Sequence, residues 1–406
     1  MSQQVGSGKV FGRDRLIERI WQKLESNSLR FTAERRVGKT TVMKKMAAEP
    51  RNGWQVVFTD LEGVASPEGF AEALLSKIKP LMPAGQAGQQ WFQKILEAVS
   101  GIEIGGVIKL PEFSKIGWRP TIEKAFEGIC SPGRECKVLI LFDELPYMLQ
   151  KIAVYGNQVT NGENAALEML DTLRAVRGKH EENLRMIFAG SVGLHHVISE
   201  LRGEAFASQP VNDMPLVEIR SLEEDDAIAL AKQLLRVEAV DLSQKTSIEE
   251  LSRLLAKETD HVPFYLERVI ARLAELDRPV VLDDVGEMVN RHLTDDFDHW
   301  EMDHFRQRLK IYYSGSMQDA NDKKIPRSKI AIELLDYLAT QSEPQTIEQV
   351  WQALKAKHAL TEREMVVNFL KLLAQDHYLV SDETKRYSFR FPLIQKWWVL
   401  AQGLAS

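Results

Sequence analysis

The spacing of apolar positions changes part-way along the chain. Up to about Arg220, short apolar or β-branched runs alternate with stretches whose apolar residues recur at helical spacing. The runs Leu29–Ala33, Trp54–Asp60 (WQVVFTD), Val138–Phe142 (VLILF), Arg185–Gly190 (RMIFAG) and Leu216–Ile219 are predicted strands, and Lys39 to about Glu49 a predicted helix. VLILF has no polar position, the pattern of a strand covered on both faces. Apolar strands separated by helical segments predict an α/β core with a parallel five-stranded sheet.

From Glu223 onward the strand pattern stops. Helical periodicity runs to about Asn290, and the segment FDHWEMDHFRQRLKIYY reads as one further helix, its aromatics from Phe297 to Tyr313 forming a buried stripe. SGSMQDANDKKIPR has the composition of a polar linker. Helical patterns at Ser328–Ala339, Thr346–Lys357 and Thr361–Gln375, followed by the short runs HYLVSD and RYSFRF, predict a winged helix. The predicted division is therefore 1–220 for the α/β core, 221–293 for an all-α lid, 294–327 for a connecting helix and linker, and 328–406 for a winged-helix domain. The core carries an insertion at about 80–120, with a glycine-rich stretch from Gly101 to Gly106. A connection of that length is expected to be functional or to hold secondary structure of its own. No fixed-period repeat is visible, which excludes a solenoid.

Composition narrows the class. With 406 residues, 44% hydrophobic and 27% charged, the chain has enough apolar surface for several folded domains. Its net charge of −6 excludes a global electrostatic footprint for nucleic acid and leaves only a local patch for DNA. Two cysteines, Cys130 and Cys136, form no disulfide framework and suit a reducing compartment. The first residues, MSQQVGSGKVFGRD, contain no apolar core of a signal sequence, and no uninterrupted apolar run approaches membrane-spanning length. A cytoplasmic location without membrane contact is expected.

Chemistry enters at Phe31-Thr-Ala-Glu-Arg-Arg-Val-Gly-Lys-Thr-Thr41, which follows a predicted strand and opens a helix. This is the setting of a phosphate-binding P-loop. Gly38 lets the backbone approach a phosphate, and the N–H groups of Glu34, Arg35, Arg36, Val37 and the first helical residues can point at the anion. Lys39 would reach the β- and γ-phosphates, and Thr40, next to Thr41, would offer its hydroxyl to Mg²⁺. Ala33 stands where the pattern has glycine, so an altered start to the loop is expected. About a hundred residues later, the apolar run ending Phe142-Asp143-Glu144 would place two acids at the carboxyl edge of the sheet. Asp143 is the candidate metal ligand and Glu144 the residue that orients or deprotonates the attacking water. Together the two motifs predict an ATP or GTP site capable of hydrolysis. No guanine-reading Asn-Lys-x-Asp motif appears.

With both motifs placed, the chain resembles the AAA+/STAND superfamily of P-loop ATPases, in its archaeal-ATPase, origin-recognition-like branch. The likeness extends from Val10 to Trp398. Val10-Phe11-Gly12-Arg13-Asp14 is similar to the family's N-terminal box, which implies Phe11 and Arg13 near adenine. Arg35-Arg36-Val37 before Gly-Lys-Thr is typical of the branch. Phe188-Ala-Gly-Ser191-Val-Gly-Leu194 resembles the strand end that implies Ser191 as a γ-phosphate sensor. His261-Val-Pro263 resembles the lid segment where a histidine approaches the β-phosphate, with Asp260 in the usual glycine position. The resemblance implies ATP rather than GTP, Mg²⁺ as its companion ion, and a nucleotide-dependent homo-oligomer as one assembly. Arg202 is the candidate arginine finger, although an arginine on a polar loop is more often a solvated charge.

Other signals are discounted. Cys130 and Cys136 lack the tight pairing and further ligands of a zinc site. His299 and His304 do not share a helix face, and His195-His196 read as polar surface. Trp397 and Trp398 read as the anchor of a final helix. Arg327 to Ser406 holds ten Lys/Arg against nine Asp/Glu, and the helix Thr361–Lys371 opens with acids. Base reading and phosphate binding need a richer cationic surface there. Only the wing, Thr384-Lys385-Arg386 to Arg390, is basic. A protein partner or an intramolecular restraint is therefore preferred over DNA for this domain, with a DNA-associated ATPase as the alternative.

Overall fold

A computed structural model of the chain describes residues 10–81, 117–130, 135–156, 162–190, 193–202, 210–295, 297, 299–318, 324–358 and 362–404. Its contacts divide into two compact units. The first runs to Ile219 without Arg36–Gly38; the second holds Arg36–Gly38 and Arg220–Ser406. Most of the predicted insertion, and Ser191, lie outside the described residues.

In the first unit β1 (Leu29–Thr32), β2 (Trp54–Asp60), β3 (Lys137–Asp143), β4 (Leu184–Phe188) and β5 (Leu216–Glu218) form one parallel sheet in the order β2-β3-β4-β1-β5. All five predicted strands are present, with ends displaced by no more than two residues. β3 is the most deeply buried: Val138 to Phe142 are each 0% exposed. Helices cover both faces of such a strand, so β-branched and aromatic side chains on either side remove it from water. Phe142 stands 5.5 Å from Phe70 and 6.0 Å from Phe188, ring centre to ring centre. Phe70 comes from the helix Pro67–Ile78, where Ser66 caps the first turn by accepting the Gly69 N–H at 3.0 Å. Its buried residues, Phe70, Ala71, Leu74, Leu75 and Ile78, recur at helical spacing on one face.

Two buried arginines tie the sheet to its surroundings. Arg185 on β4 donates to the carbonyls of Leu24 and Glu25 at 2.9 Å each, satisfying the end of the helix Asp14–Leu24. Arg177, 4% exposed, donates to Asp213 at 3.0 Å and to the Pro210 carbonyl at 2.9 Å. His195 and His196 do not form the polar surface expected of them. His196 is buried, and the two rings lie 4.5 Å apart, because the helix Leu194–Arg202 packs its first turn inward.

The second unit begins with helices Glu224–Val237, Ile248–Glu258, Pro263–Ala274 and Asp283–Leu293. Pro263 opens its helix at the position where a missing N–H is harmless. Buried Asp284 accepts from Arg278 and from the Val281 N–H at 2.8 Å, fixing the turn before the fourth helix. The segment predicted as one helix from Phe297 starts only at Asp303 and ends at Tyr312. Glu301 has left-handed backbone, φ 52, which interrupts the helical run before it. Phe297 accordingly falls outside the predicted stripe and is 85% exposed, whereas Trp300, Phe305, Tyr312 and Tyr313 are buried. The predicted polar linker contains a two-stranded antiparallel pair, β6 (Ser316–Gln318) with β7 (Lys324–Pro326).

The C-terminal part holds helices Arg327–Ala339, Ile347–Lys357 and Arg363–Gln375, and an antiparallel sheet of β8 (Gln345–Thr346), β9 (Leu379–Ser381) and β10 (Arg386–Phe389) in the order β8-β10-β9. Thr361, the predicted start of the third of these helices, lies outside the described residues. Thr346 and Gln349 form a reciprocal capping box. The last helix, Pro392–Ala401, buries Trp397 and Trp398, and the Trp398 indole N–H donates to Asp336 at 2.7 Å. Among the described residues, no helix is long and apolar enough to cross a membrane.

Candidate functional site

Parallel pairing aligns the carboxyl ends of the strands, with Asp60 opposite Asp143, and Phe142 opposite Phe188. The chain leaves β1 at that edge, crosses the loop 33–38 and enters the helix Lys39–Ala48. β4 lies between β1 and β3, so the loop and the strand-end acids come from non-adjacent strands. They meet nonetheless. The Thr40 hydroxyl donates to Asp143 Oδ2 at 2.6 Å, and Lys39 Nζ lies 4.0 Å from Glu144 Oε1. Lys39 is only 7% exposed, a burial that lysine rarely shows unless it is paired.

The loop takes its shape from two residues. Arg36 and Gly38 have φ of 71 and 98. Glycine carries that conformation without penalty; arginine does so at a cost of about 1–2 kcal/mol. Ala33 is buried and is not among the described residues of positive φ, so the alanine requires no altered start to the loop. Glu34 is buried and accepts the Arg35 N–H at 2.7 Å, while Arg35 and Thr41 are exposed and Val37 is buried.

Glu144 has left-handed backbone, φ 55, and opens the helix Leu145–Gly156, with the Met148 N–H reaching its carbonyl at 3.1 Å. That bend lets two successive acids leave the strand in different directions: Glu144 remains partly exposed while Asp143 is 2% exposed. Asp143 Oδ1 also accepts the Glu144 N–H at 3.2 Å. Burial pushes the Asp143 carboxyl above its ordinary pKa. Lys39 and the Thr40 hydrogen bond draw it back, and Glu144 and Asp60 push it up again. Asp60 was missed in the sequence reading, although its signal, an apolar run ending in an acid, is the one that revealed Asp143.

The Thr40 hydroxyl and the Asp143 carboxylate form an adjacent pair of hard oxygen donors. A divalent cation there would relieve the carboxylate's burial, so these residues fit Mg²⁺. Phe11 and Arg13 sit at the start of the helix Asp14–Leu24, with Gly12 at φ 64 and Arg13 buried. Ser191 lies outside the described residues, and Arg202 ends the helix Leu194–Arg202. His261 belongs to the second unit. There Asp260 and His261 have φ of 51 and 58, so the place where the family resemblance puts glycine does take a left-handed backbone.

No protein-family model matches the sequence. No curated protein matches it either. Solved structures do. A Walker-type ATPase of Pyrococcus abyssi superposes with a TM-score of 0.63 over 98% of this chain and 99% of that one, at 16% identity. The ORC2 protein of Aeropyrum pernix, in its ADPNP–ADP complexes, superposes with a TM-score of 0.52 over 100% and 98%, at 10% identity. The chain therefore has the P-loop fold of these archaeal Walker-type ATPase and ORC2 structures, with its parallel five-stranded core.

Proposed function

We propose that the protein binds ATP with Mg²⁺ and hydrolyses it slowly, as a molecular switch whose C-terminal domain contacts a protein partner or restrains the core. The observation that carries this reading is the meeting of Lys39, Thr40, Asp143 and Glu144 at one sheet edge, with Thr40 2.6 Å from Asp143 and Lys39 4.0 Å from Glu144. Lys39 supplies a cation for the β- and γ-phosphates, already desolvated by the fold. Thr40 and Asp143 would hold the metal, which would supply positive charge to offset the negative charge developing on the phosphates. Glu144 orients the attacking water or takes its proton. Phe11 and Arg13 serve the adenine, the loop residues Glu34 to Thr41 the phosphates, and Ser191 the γ-phosphate. His261 would report on the β-phosphate from the lid.

Contacts at the turn between β9 and β10, and beside the ends of the two strands, weigh against DNA. Arg386 donates to Asp382 at 2.7 Å, and the Arg390 guanidinium lies 3.0 Å from His377 Nδ1. Two of the basic residues of the proposed wing are thus engaged within the domain. The DNA-associated alternative requires them to leave these contacts for phosphates.

Steady-state ATP hydrolysis, with duplex DNA titrated in at two salt concentrations, tests both readings. Lys39→Ala should abolish nucleotide binding. Glu144→Gln should keep binding and lower turnover by about 10²–10⁴-fold. Wild-type turnover in Glu144→Gln sinks the proposed mechanism, and salt-sensitive stimulation by DNA favours the alternative.

A further inference from the structure

A cavity of about 450 Å³ lies wholly within the second unit, lined by residues from three stretches of chain, 220–221, 257–261 and 390–396. Its size falls within the roughly 300–1,000 Å³ of ligand pockets. Four cations line it: Arg220 ahead of the first helix of the unit, Lys257 near the end of the helix Ile248–Glu258, Arg390 just after β10, and Lys396 on the last helix. His261 is also on the wall, and the acids there are Glu258 and Asp260. Asp260 is already committed: its Oδ2 accepts the Leu393 N–H at 2.7 Å, capping the last helix. Phe391, Pro392 and Leu393 form an apolar side.

Four cations against two acids around one void make a strong field for an anion. Because the cations arrive from separate segments, they suit a ligand whose oxygens point in several directions and which carries more than one charge. A monocarboxylate would engage one side of such a cavity and leave the others unmatched. Phosphate oxygens meet both conditions. We propose that this cavity binds a small phosphate-bearing anion, held by Arg220, Lys257 and Lys396, with Arg390 adding positive charge while its guanidinium stays against His377, and with Phe391 and Pro392 against whatever organic part it carries. The assignment does not rest on nucleotide at Lys39, because every residue that lines the cavity belongs to the second unit.

The test uses the full chain and inorganic pyrophosphate, measured by isothermal titration in a Lys39→Ala background, which removes the P-loop as a competing anion site. Lys39→Ala is expected to bind pyrophosphate. Adding Lys257→Gln and Lys396→Gln is expected to weaken that binding at least tenfold. Lys257 is exposed, so Lys257→Gln alone, which threatens folding least, should weaken it several-fold and decides the matter if the combined variant does not fold. Absence of binding in Lys39→Ala overturns the proposal, and so does unchanged affinity when the two lysines are neutralised. If duplex DNA displaces the pyrophosphate and loses affinity with the same substitutions, the phosphate comes from a nucleic-acid backbone, and the small-ligand assignment falls. The ATP reading fails on a different result, namely no hydrolysis by the wild-type chain.

Discussion

Replacing Asp260 with asparagine tests how the fold holds a carboxyl group at the joint of two helices. Burial, reinforced by Glu258 and opposed by the Leu393 N–H, pushes this group from 3.8 to about 7. At about 1.4 kcal/mol for each pH unit, ionising Asp260 costs the folded state about 4 kcal/mol more than the unfolded chain. The folded pKa is raised, so the group's contribution to stability is full below about pH 4 and disappears as pH rises through about 7. Between about pH 5 and pH 8, linkage gives a loss of about 3 kcal/mol in the wild type. The charged and titratable residues that share its cavity are Arg220, Lys257, Glu258, His261, Arg390 and Lys396. Asparagine keeps an acceptor for the Leu393 N–H and carries no charge. Asp260→Asn should therefore match the wild type below about pH 4, lead it by about 1.5 kcal/mol near pH 5 and lead it by about 4 kcal/mol near pH 8, a gain of about 3 kcal/mol across that range. Urea unfolding followed by tryptophan fluorescence across that range measures the difference, and Asp260→Ala, which also removes the acceptor, separates the hydrogen bond from the charge. A stability difference that stays constant from pH 5 to pH 8 refutes the reasoning.

Other outcomes can be stated more briefly. Glu144→Gly removes a non-glycine residue from left-handed backbone, a gain of about 1–2 kcal/mol, against about 0.5–1 kcal/mol of extra chain entropy lost on folding. The variant should be about 0.5–1 kcal/mol more stable by urea titration while losing turnover; equal or lower stability contradicts the strain argument. Trp398→Phe keeps most of the apolar contact but removes the donor to Asp336, for an expected cost of about 1–3 kcal/mol. A double cycle with Asp336→Ala, which removes the acceptor, should show coupling, and strict additivity would mean the hydrogen bond contributes nothing.

The parts of the fold that could be read from sequence are those where one physical demand dominates. A strand covered on both faces must be apolar throughout, so β3 announces itself, and a loop that wraps phosphate carries glycine, lysine and threonine in a fixed order. What was illegible depends on contacts made at long range or on single backbone angles. Nothing in the periodicity of FDHWEMDHFRQRLKIYY marks Glu301 as left-handed, yet that residue moves the helix start to Asp303. β6 and β7 are three residues each, too short for an alternation to show, and they carry Ser316, Gln318 and Lys324 like any loop. Asp260 was noticed only as a departure from a glycine. Its hydrogen bond to Leu393 supplies the compensation, but its partner is 133 positions away. The four cations of the second-unit cavity are likewise scattered, and no spacing connects them.

The sheet order has a consequence for how the chain is made. β1 pairs with β4 and β5, the last two strands of its sheet in sequence, and not with β2. A growing polypeptide therefore carries β1 with both of its edges unsatisfied until Leu184 and beyond have been synthesised. At about 5–20 residues per second, that interval is of order ten seconds or more. During it, β2 and β3 can pair with each other while the strand that leads into the phosphate loop has nothing to join. A chain truncated before β4 would lack the loop's supporting strands however well the rest had formed.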